Sequence, residues 1–574
     1  MTDAPPSRAQ AIAALTASGS HYELEEHTIN GVPCRVFSQA PLTLRALFEG
    51  AQQYQNLDYL TFDEERLSYA ETFNQVAGIA NLLQSEYGIR KGDRVAIGMR
   101  NYPEWITAFL AITSLGGIAV ALNALWNTAE LAYAMELTGA KVLIGDEERI
   151  QRLQQYAEES DLQVLSVRSP AFPGEHIVPL PTRWEWDAAG PQLPAADIDP
   201  NDDALIIFTS GSTGHPKGAV SSHRAAIHAV MSWDLEMAIA LWRSGSERPV
   251  EPWDVRFRLL VAVPLFHVSG SHVGMLSALL RGRAVHLMYK WDVMQALDLI
   301  EQEHITHFIA VSSMTGDLVK AAAQHQRSLD SLLSVGGGGA PRPSKQVRDI
   351  ERVFARAAPG TGWGMTETNA IGAGIAGQDY LNRPLSSGQC SAVLDMRIVD
   401  DRDEDVPTGE RGHLLIRGTS MFREYWNRPD ANSESRVGGW FRTGDIAILD
   451  EEGFLFIVDR AKDIVIRGGE NVGCGEVEDA IYSHPDVSEA VVFGLPHERL
   501  GEEVSCIVVI KKEATQGTSL DQAALGAHLR ETLAEFQIPS RIFFSENPLP
   551  RIASGKFNKR ALRLELLQSL GLET

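Results

Sequence analysis

The chain has 574 residues, of which 44% are hydrophobic and 22% are charged, close to the averages of soluble globular proteins. This composition excludes a disordered chain, a collagen and a disulfide-stapled miniprotein, and the length is sufficient for several domains. A balance of 75 acidic and 51 basic residues gives a net charge of −24, which disfavours broad nucleic-acid binding but still permits a small local phosphate site.

The N-terminus, MTDAPPSRAQ, has no basic start followed by an apolar run, so no secretory signal is predicted. The cysteines form no CxxC pair and no metal-binding spacing, which predicts neither a disulfide framework nor a structural zinc site. They are Cys34, Cys390, Cys474 and Cys506. A reducing cytoplasm is therefore the expected location.

Short apolar runs alternate with helical patterns over most of the chain. Strands are predicted at RVAIGM, AKVLIG, ALIIFTS, RLLVAVP and HFIAVSS, and helices at ETFNQVAGIANLLQSEY and VMQALDLIEQEH. This alternation predicts an α/β fold with helices packed on largely parallel sheets. The proline-rich stretch from Ser169 to Pro200 is interpreted as a surface excursion.

An uncharged stretch from Trp105 to Ala129 is long enough to cross a bilayer. It nevertheless contains several hydroxyl side chains and the pair Gly116-Gly117. We therefore predict a buried helix that ends at the glycines, followed by a strand from Ile118 to Leu122, and no transmembrane segment.

A domain boundary is predicted where the strand FLFIVD runs into the charged segment DRAKD, near Asp459 to Asp463. Beyond it we predict an extended IVIRG, a helix from Glu476 to Ser483, the strands EAVVFG and VSCIVVI, a helix from Leu520 to Leu533, and a polar tail. The predicted domains are a large N-terminal domain, residues 1–459, and a small α+β domain, residues 460–574.

The strand that ends at Phe208 leads into the loop TSGSTGHPKG, which contains glycines, hydroxyl groups and Lys217. Such a loop can surround phosphate oxygens, because glycines let the backbone approach and the lysine adds a positive charge. It is not a Walker loop, since Pro216 precedes the lysine and Gly218 follows it. On composition alone, a solvated turn is the better interpretation.

The complete ten-residue string, however, resembles the phosphate-loop signature of the adenylate-forming superfamily, which includes acyl- and aryl-CoA ligases, peptide-synthetase adenylation domains and beetle luciferases. Further similar motifs follow in the superfamily's order: GWGMTET (362–368), WFRTGD (440–445), DRAKDIVIRGGENV (459–472) and PLPRIASGK (548–556). The chain is thus identified as a member of this superfamily, similar to its fatty-acid-CoA ligases. The resemblance implies a large adenylation domain of layered sheets and helices and a small mobile C-terminal domain, with a hinge near Lys462.

The resemblance also implies an enzyme that uses ATP, Mg²⁺ and coenzyme A to convert a small carboxylic acid into an acyl-CoA, with AMP and pyrophosphate released. A carboxylate oxygen is a very poor leaving group, and an acyl-adenylate intermediate solves that problem. Two alternatives stay open: an acyl-AMP ligase that loads a separate carrier protein or another acceptor, and a noncatalytic nucleotide-binding relative.

Four residues are implied to act on the reacting groups. Lys556 resembles the lysine that contacts the α-phosphate and the substrate carboxylate during adenylation, and Thr366 the hydroxyl donor to that phosphate. Glu367, together with Thr213, resembles the magnesium site, and hard oxygen ligands suit that ion. His267 matches the position that orients the carboxylate, with a satisfied core histidine as the alternative.

The remaining site residues are implied to bind the nucleotide or CoA. Trp363 resembles the aromatic that stacks on adenine, Asp445 the acceptor of both ribose hydroxyls, and Arg460 an interdomain arginine that reaches the nucleotide. The full set is Thr209, Ser210, Gly211, Ser212, Thr213, Gly214, Lys217, Gly338, Gly339, Ala340, Trp363, Gly364, Met365, Asp445, Arg460, Lys462, Gly468 and Gly469. In this set, Gly468 and Gly469 leave room for the pantetheine arm of CoA.

Two positions depart from the superfamily's pattern: Cys474 stands where a proline is common, and Ile552 where a threonine is common. The cysteine is interpreted as a small buried filler and not as a nucleophile. Residues 268–272 and 370–374 are candidates for the acyl pocket, and their small or apolar character favours a fatty or other apolar acid. Peripheral membrane contact and a homodimer stay open, because the sequence holds no signature for either.

Overall fold

Helices and strands alternate along the chain in the computed structural model, which describes residues 7–29, 31–169, 176–184, 190–209, 215–243, 256–461, 463–468, 470–511, 520–552 and 555–572. The helices are α1 (Arg8–Leu15), α2 (Leu44–Gly50), α3 (Tyr69–Ser85), α4 (Pro103–Ser114), α5 (Thr128–Thr138), α6 (Glu147–Glu159), α7 (His223–Arg243), α8 (Ser277–Arg281), α9 (Val293–Gln302), α10 (Ser312–Gln324), α11 (Ser344–Val353), α12 (Gly377–Asn382), α13 (Pro429–Glu434), α14 (Cys474–Tyr482), α15 (Gln522–Leu529) and α16 (Lys559–Leu570).

The strands are β1 (Leu24–Ile29), β2 (Val32–Phe37), β3 (Asp58–Phe62), β4 (Glu65–Ser68), β5 (Arg94–Gly98), β6 (Ile118–Ala121), β7 (Val142–Asp146), β8 (Gln163–Val167), β9 (Ile177–Pro179), β10 (Asp203–Thr209), β11 (Lys217–Ser222), β12 (Arg258–Val261), β13 (Ala284–Leu287), β14 (His307–Ala310), β15 (Ser334–Gly338), β16 (Ala358–Trp363), β17 (Ala373–Ala376), β18 (Gly388–Cys390), β19 (Leu394–Val399), β20 (Arg411–Gly418), β21 (Glu424–Tyr425), β22 (Arg436–Val437), β23 (Trp440–Leu449), β24 (Phe454–Arg460), β25 (Val465–Arg467), β26 (Glu470–Val472), β27 (Val487–His497), β28 (Gly501–Ile510) and β29 (Arg541–Ser545). A π-helix spans Ser269–Leu276, and short 3₁₀ helices span Ala51–Tyr54 and Thr366–Thr368.

Two large sheets form the N-terminal part of the protein. One has the strand order β21-β11-β10-β6-β5-β7-β8-β9, and its centre is parallel. The other runs β19-β20-β23-β24-β18-β17-β16-β15-β14-β12-β13-β3-β4, with β22 on β23. Its strands from β3 to β16 pair in parallel apart from the β3–β4 hairpin, which places the carboxyl ends of β14, β15 and β16 at one edge.

The predicted α/β fold is confirmed, with a large N-terminal and a small C-terminal domain. Predicted strands and helices are present as β5, β7, β10, β12, β14, α3 and α9. The uncharged stretch forms α4, with each of its residues from Trp105 to Ser114 buried, and then β6. Among the described residues, no helix is both long and apolar enough to cross a membrane.

The small sheet has the order β26-β25-β28-β27, with β29 paired to β28. It lies wholly within residues 465–545, beyond the predicted boundary at residues 459–460, which itself stays a prediction. Helix α14 begins at Cys474, two residues before the predicted start.

The predicted polar tail is wrong. Strand β29 pairs in parallel with β28, and α16 packs against β27 by burying Leu562 and Leu567. Because α16 contains many charged residues, its narrow apolar stripe is not evident in the sequence. The first turn of α16 is stabilised by Asn558, whose side chain accepts a hydrogen bond from the Ala561 N–H.

Candidate active site

A cleft of 2210 Å³ lies between the two large sheets and the small domain. Its floor is the edge at which β14, β15 and β16 end, and ligand sites of open α/β sheets lie at the carboxyl ends of such strands. Side chains from β23, β24 and the segment after β29 close it from the other side. Groups from distant parts of the sequence therefore face one space.

A buried carboxylate stands at one end of the cleft. Glu367, in the short helix after β16, is 5% exposed, and the Tyr425 hydroxyl donates to its Oε1 at 2.6 Å. Burial raises the pKa of Glu367, and the hydrogen bond from Tyr425 opposes that rise. Lys217 opens β11, next to β21, and its Nζ lies 5.0 Å from the centroid of the Tyr425 ring. A carboxylate and a cation thus lie on either side of one tyrosine.

A second buried carboxylate, Asp445, is 2% exposed. It lies opposite Arg460 in the β23–β24 pair, and the Arg460 Nε donates to its Oδ1 at 2.8 Å. The Trp363 indole N–H donates to Oδ2, also at 2.8 Å. Burial raises the pKa of Asp445, while the charge of Arg460 counteracts that effect. Because each carboxylate oxygen has two lone pairs, both can still accept a ligand hydroxyl.

Lys556 reaches the same cleft from the small domain. Its Cε lies 3.7 Å from the point where a side chain on Gly339 would begin, so the lysine side chain passes in van der Waals reach of the Gly339 backbone. Gly339 also has a φ of +74°, which favours glycine. Burial, followed by the charge of Arg460, lowers the pKa of Lys556, whereas Asp445 and Glu367 favour its charged form. The neighbouring Gly555 carbonyl accepts from the Ser313 hydroxyl at 3.2 Å.

The small domain is further tied to the large one at α11. This helix has Pro343 as its N-cap residue, without a side-chain cap of its own. Instead, Asp479 of α14 accepts from the Ser344 N–H at 2.8 Å and from the Ser344 hydroxyl at 3.2 Å. A carboxylate from one domain therefore caps a helix of the other, which favours the orientation that places Lys556 in the cleft.

His267 lines the cleft after β12. Its Nε2 is buried and has no hydrogen-bond partner among the described residues, which argues against a satisfied core histidine. Burial, with the charge of Lys556 as a second cause, lowers the pKa of His267 to about 4. The imidazole is therefore neutral near pH 7.

Most of the described site residues predicted from the sequence line this one cleft: Thr209, Lys217, His267, Gly338, Gly339, Ala340, Trp363, Gly364, Met365, Thr366, Glu367, Asp445, Arg460 and Lys556. Gly468 does not, because it lies in the β25–β26 turn, where its N–H donates to the Leu500 carbonyl. Outside the described residues lie Ser210, Gly211, Ser212, Thr213, Gly214, Lys462 and Gly469.

Sequence reasoning missed Tyr425 and Asp479, since nothing local distinguishes either residue and their partners are far away in the chain.

The interpretation of Cys474 as a small buried filler is confirmed. The residue is 1% exposed, burial raises the pKa of its thiol, and its Sγ donates to the Asp463 carbonyl. Of the candidate acyl-pocket residues, Val268, Ser269, Ala370 and Gly374 line the cleft. His272 is buried and is not among the lining residues.

Comparisons with known proteins agree with this geometry. The family model described as AMP-binding enzyme matches residues 47–426, and the model of the AMP-binding enzyme C-terminal domain matches residues 476–556. Feruloyl-CoA synthase of Amycolatopsis is 33% identical over 503 residues, which cover 87% of this chain and 93% of that protein. The long-chain-fatty-acid–CoA ligase FadD13 of Mycobacterium tuberculosis is 30% identical over 513 residues, with the same coverage. The ATP-bound crystal structure of MatB from Rhodopseudomonas palustris superposes with a TM-score of 0.77 at 26% identity, over 92% of this chain and 99% of that one.

Proposed function

This chain belongs to the family of AMP-binding enzymes, in its CoA-ligase branch, and on that premise we propose that it converts a fatty or other apolar carboxylic acid, ATP and CoA into an acyl-CoA, AMP and pyrophosphate. The observation that carries the proposal is the meeting of Lys556, from the small domain, with Glu367 and Asp445 of the large domain in one cleft. A noncatalytic nucleotide-binding protein has no need of a half-buried lysine from the small domain at this place.

In the first half-reaction, an oxygen of the acid attacks the α-phosphorus of ATP, and the bond from that phosphorus to the pyrophosphate oxygen breaks. Lys556 stabilises the negative charge that develops on the α-phosphate and holds the attacking carboxylate in line. Thr366 donates a hydrogen bond to the same phosphate. The neutral His267 has a free buried ring nitrogen with which to orient the carboxylate.

The nucleotide lies along the edge formed by Gly338, Gly339 and Ala340, with the adenine against Trp363. Asp445 accepts from the ribose hydroxyls, while the charge of Arg460 favours the ionised form of that buried carboxylate. The chemistry of Glu367 also fits Mg²⁺, since it offers an oxygen of a buried carboxylate in the cleft, and Thr213, which lies outside the described residues, would be the second ligand that the family resemblance implies. The ion would neutralise charge on the phosphates.

In the second half-reaction, the sulfur of CoA bonds to the carbonyl carbon of the acyl-adenylate, and AMP leaves. Lys556 has no role in this step and would block access to the cleft. Rotation of the small domain about Lys462 removes it and brings the face that carries Gly468 and Gly469 towards the adenylate. Release of the Asp479 cap on α11 is part of this rotation.

The acid is mainly apolar, because Met237, Val268, Ile309 and Ala370 line the acyl side of the cleft. Gly338 leaves space at the end of β15, since a side chain there would meet only the Gly362 carbonyl, at 3.6 Å. Of the two relatives named above, one is a feruloyl-CoA synthase and the other a long-chain-fatty-acid–CoA ligase, which supports an acid with a large acyl part.

The test is the release of AMP by the purified protein with a series of carboxylic acids, from acetate through long-chain fatty acids to aryl acids, each with and without CoA. CoA-dependent AMP release with an apolar acid is expected. Adenylate formation without thioester formation would assign another acceptor, and absence of AMP release with every acid would contradict the proposal.

A further inference from the structure

One wall of the acyl side of the cleft is polar. Trp233 and Glu236 are three residues apart on α7 and therefore share a face of that helix. They lie against Gly362 and Gly374, which are directly opposite each other in the β16–β17 pair. A side chain on Gly362 would begin 2.5 Å from Trp233 Cη2, and one on Gly374 would begin 3.4 Å from Glu236 Oε2. Two glycines thus make room for an indole and a carboxylate against the sheet.

The carboxylate is paired with a residue from the start of the described chain. Both terminal nitrogens of the Arg8 guanidinium donate to Glu236, Nη1 to Oε2 at 2.6 Å and Nη2 to Oε1. Each side chain is only 12% exposed, and both line the cleft. Arg8 lies outside the part of the chain that matches the AMP-binding family model, which begins at residue 47. The pair is therefore an addition of the N-terminal segment to the acyl side of the site.

A buried ion pair is an unfavourable way to build a wall for an alkyl chain. Desolvation of two charges offsets most of their attraction, and replacement by hydrophobic residues of similar volume is often neutral or stabilising. Such a pair adds to the binding energy when a polar group of the ligand forms hydrogen bonds with it. Its cost in desolvation therefore points to a ligand that carries such a group.

The pair keeps both donor and acceptor capacity. Arg8 Nε is buried without a hydrogen-bond partner in the described structure, and so is the neighbouring Trp233 Nε1. Glu236 retains lone pairs beyond the two that Arg8 occupies. Because the two opposite charges lie side by side, an ammonium group or a second carboxylate would meet a like charge as well as an opposite one, and the two effects largely cancel. A hydroxyl, which donates and accepts without a charge, fits it best.

We propose that the Arg8–Glu236 pair selects acids that carry a neutral hydroxyl group on their acyl part, with the hydroxyl donating to Glu236 and accepting from Arg8. This proposal rests on the proposed function and narrows its substrate class to hydroxylated apolar acids. A site built to bind a hydroxyl rejects the analogue that lacks it, because the polar groups of the site are then left buried without partners.

The test compares each hydroxy acid with the analogue that lacks the hydroxyl. The three isomers of cinnamic acid with a single ring hydroxyl (ortho, meta and para) are compared with cinnamic acid, and 12-hydroxydodecanoic acid is compared with dodecanoic acid. The ratio of the two kcat/KM values is measured by CoA-dependent AMP release. In the wild type we expect a ratio of about ten or more for at least one pair. In the double variant Arg8→Leu/Glu236→Leu that ratio should fall to near one. A loss of activity that affects both acids equally cancels in the ratio.

The matched control is Arg243→Leu/Asp379→Leu, which removes another ion pair that lines the cleft, and it should keep the wild-type ratio. The single variant Glu236→Gln, which keeps the side-chain shape, is measured in parallel in case the double variant does not fold, and it should lower the ratio as well. Wild-type preference for every deoxy acid, or an unchanged ratio in the folded Glu236 variants, would overturn the proposal. Turnover of no acid at all would instead contradict the proposed function.

Discussion

The hydrogen bond from Tyr425 to Glu367 leads to a prediction about the pH dependence of the reaction. The variant Tyr425→Phe keeps the ring beside Lys217 and removes only the hydroxyl that donates to Oε1 at 2.6 Å. Burial already raises the pKa of Glu367, and of the groups that counteract this rise the Tyr425 hydroxyl has the largest effect. Its loss should therefore raise the pKa further and disfavour the ionised form, which is the form that would bind Mg²⁺ in the proposed function.

The size of the effect follows from the type of bond. A hydrogen bond to a charged group contributes about 1.5–3 kcal/mol, and 1.36 kcal/mol corresponds to a factor of ten. At a pH where protonation of Glu367 competes with metal binding, kcat/KM should therefore fall by about 10- to 100-fold. The loss should shrink as the pH rises, because the carboxylate then ionises even without the tyrosine.

The measurement is ATP–pyrophosphate exchange between pH 5.5 and 9 at several Mg²⁺ concentrations. We expect the acidic limb of the profile to move to higher pH in the variant, and the apparent affinity for Mg²⁺ to fall. Tyr22→Phe is the matched control, because it also removes a hydroxyl that donates to a buried carboxylate, Asp234, at 2.7 Å, away from the cleft. An unchanged acidic limb in Tyr425→Phe, or the same shift in the control, would refute the reasoning.

Three further predictions concern the cleft. Lys556→Ala should lower pyrophosphate exchange by about 100- to 1000-fold while calorimetry still detects ATP binding. Burial and the charge of Lys556 lower the pKa of His267 to about 4, so an NMR titration of the variant should find a higher pKa than in the wild type, because a positive neighbour is lost. Asp445→Asn should raise the KM for ATP by about tenfold or more, since the ion pair with Arg460 and the acceptor for the ribose are weakened; an unchanged KM would contradict that role. Asp479→Ala removes the cap on α11 and should weaken the docking of the small domain on the large one by about 1 kcal/mol. Pyrophosphate exchange should then fall several-fold, whereas thioester formation from added acyl-adenylate should not. Equal losses in both steps would indicate a purely structural role.

The parts of the fold that were predictable are those encoded locally. Strands β5, β7 and β10 are continuous apolar runs because both faces of their sheet are covered, and α9 carries a clear apolar stripe. Helix α16 has a weaker stripe within a charged sequence. It is stabilised by packing on β27, and this contact cannot be predicted from the sequence of the helix alone, because the strand lies much earlier in the chain.

The same limit applies to the site. Residues in the motifs could be predicted because each motif carries its own chemistry at a fixed spacing. Tyr425 reaches Glu367 only because β21 pairs with β11, two strands that are about two hundred residues apart in the sequence. Arg8 reaches Glu236 across 228 positions, by the packing of α1 on α7. A local pattern holds no information on either pairing.

The charges in the cleft resolve an apparent conflict between an acidic chain and an anionic substrate. The protein as a whole carries −24, but the cleft brings the cations Lys217, Arg460 and Lys556 together with the carboxylates Glu367 and Asp445, so that positive side chains offset the negative ones at the proposed nucleotide site. Exposed acidic residues farther away are screened within about 8 Å at physiological ionic strength, whereas charges in the cleft are screened much less. The overall acidity therefore opposes a long nucleic-acid backbone without preventing the binding of one nucleotide. Because Lys556 comes from the small domain, we expect the electrostatic attraction of the cleft for a triphosphate to be strongest in the domain orientation that places this lysine there.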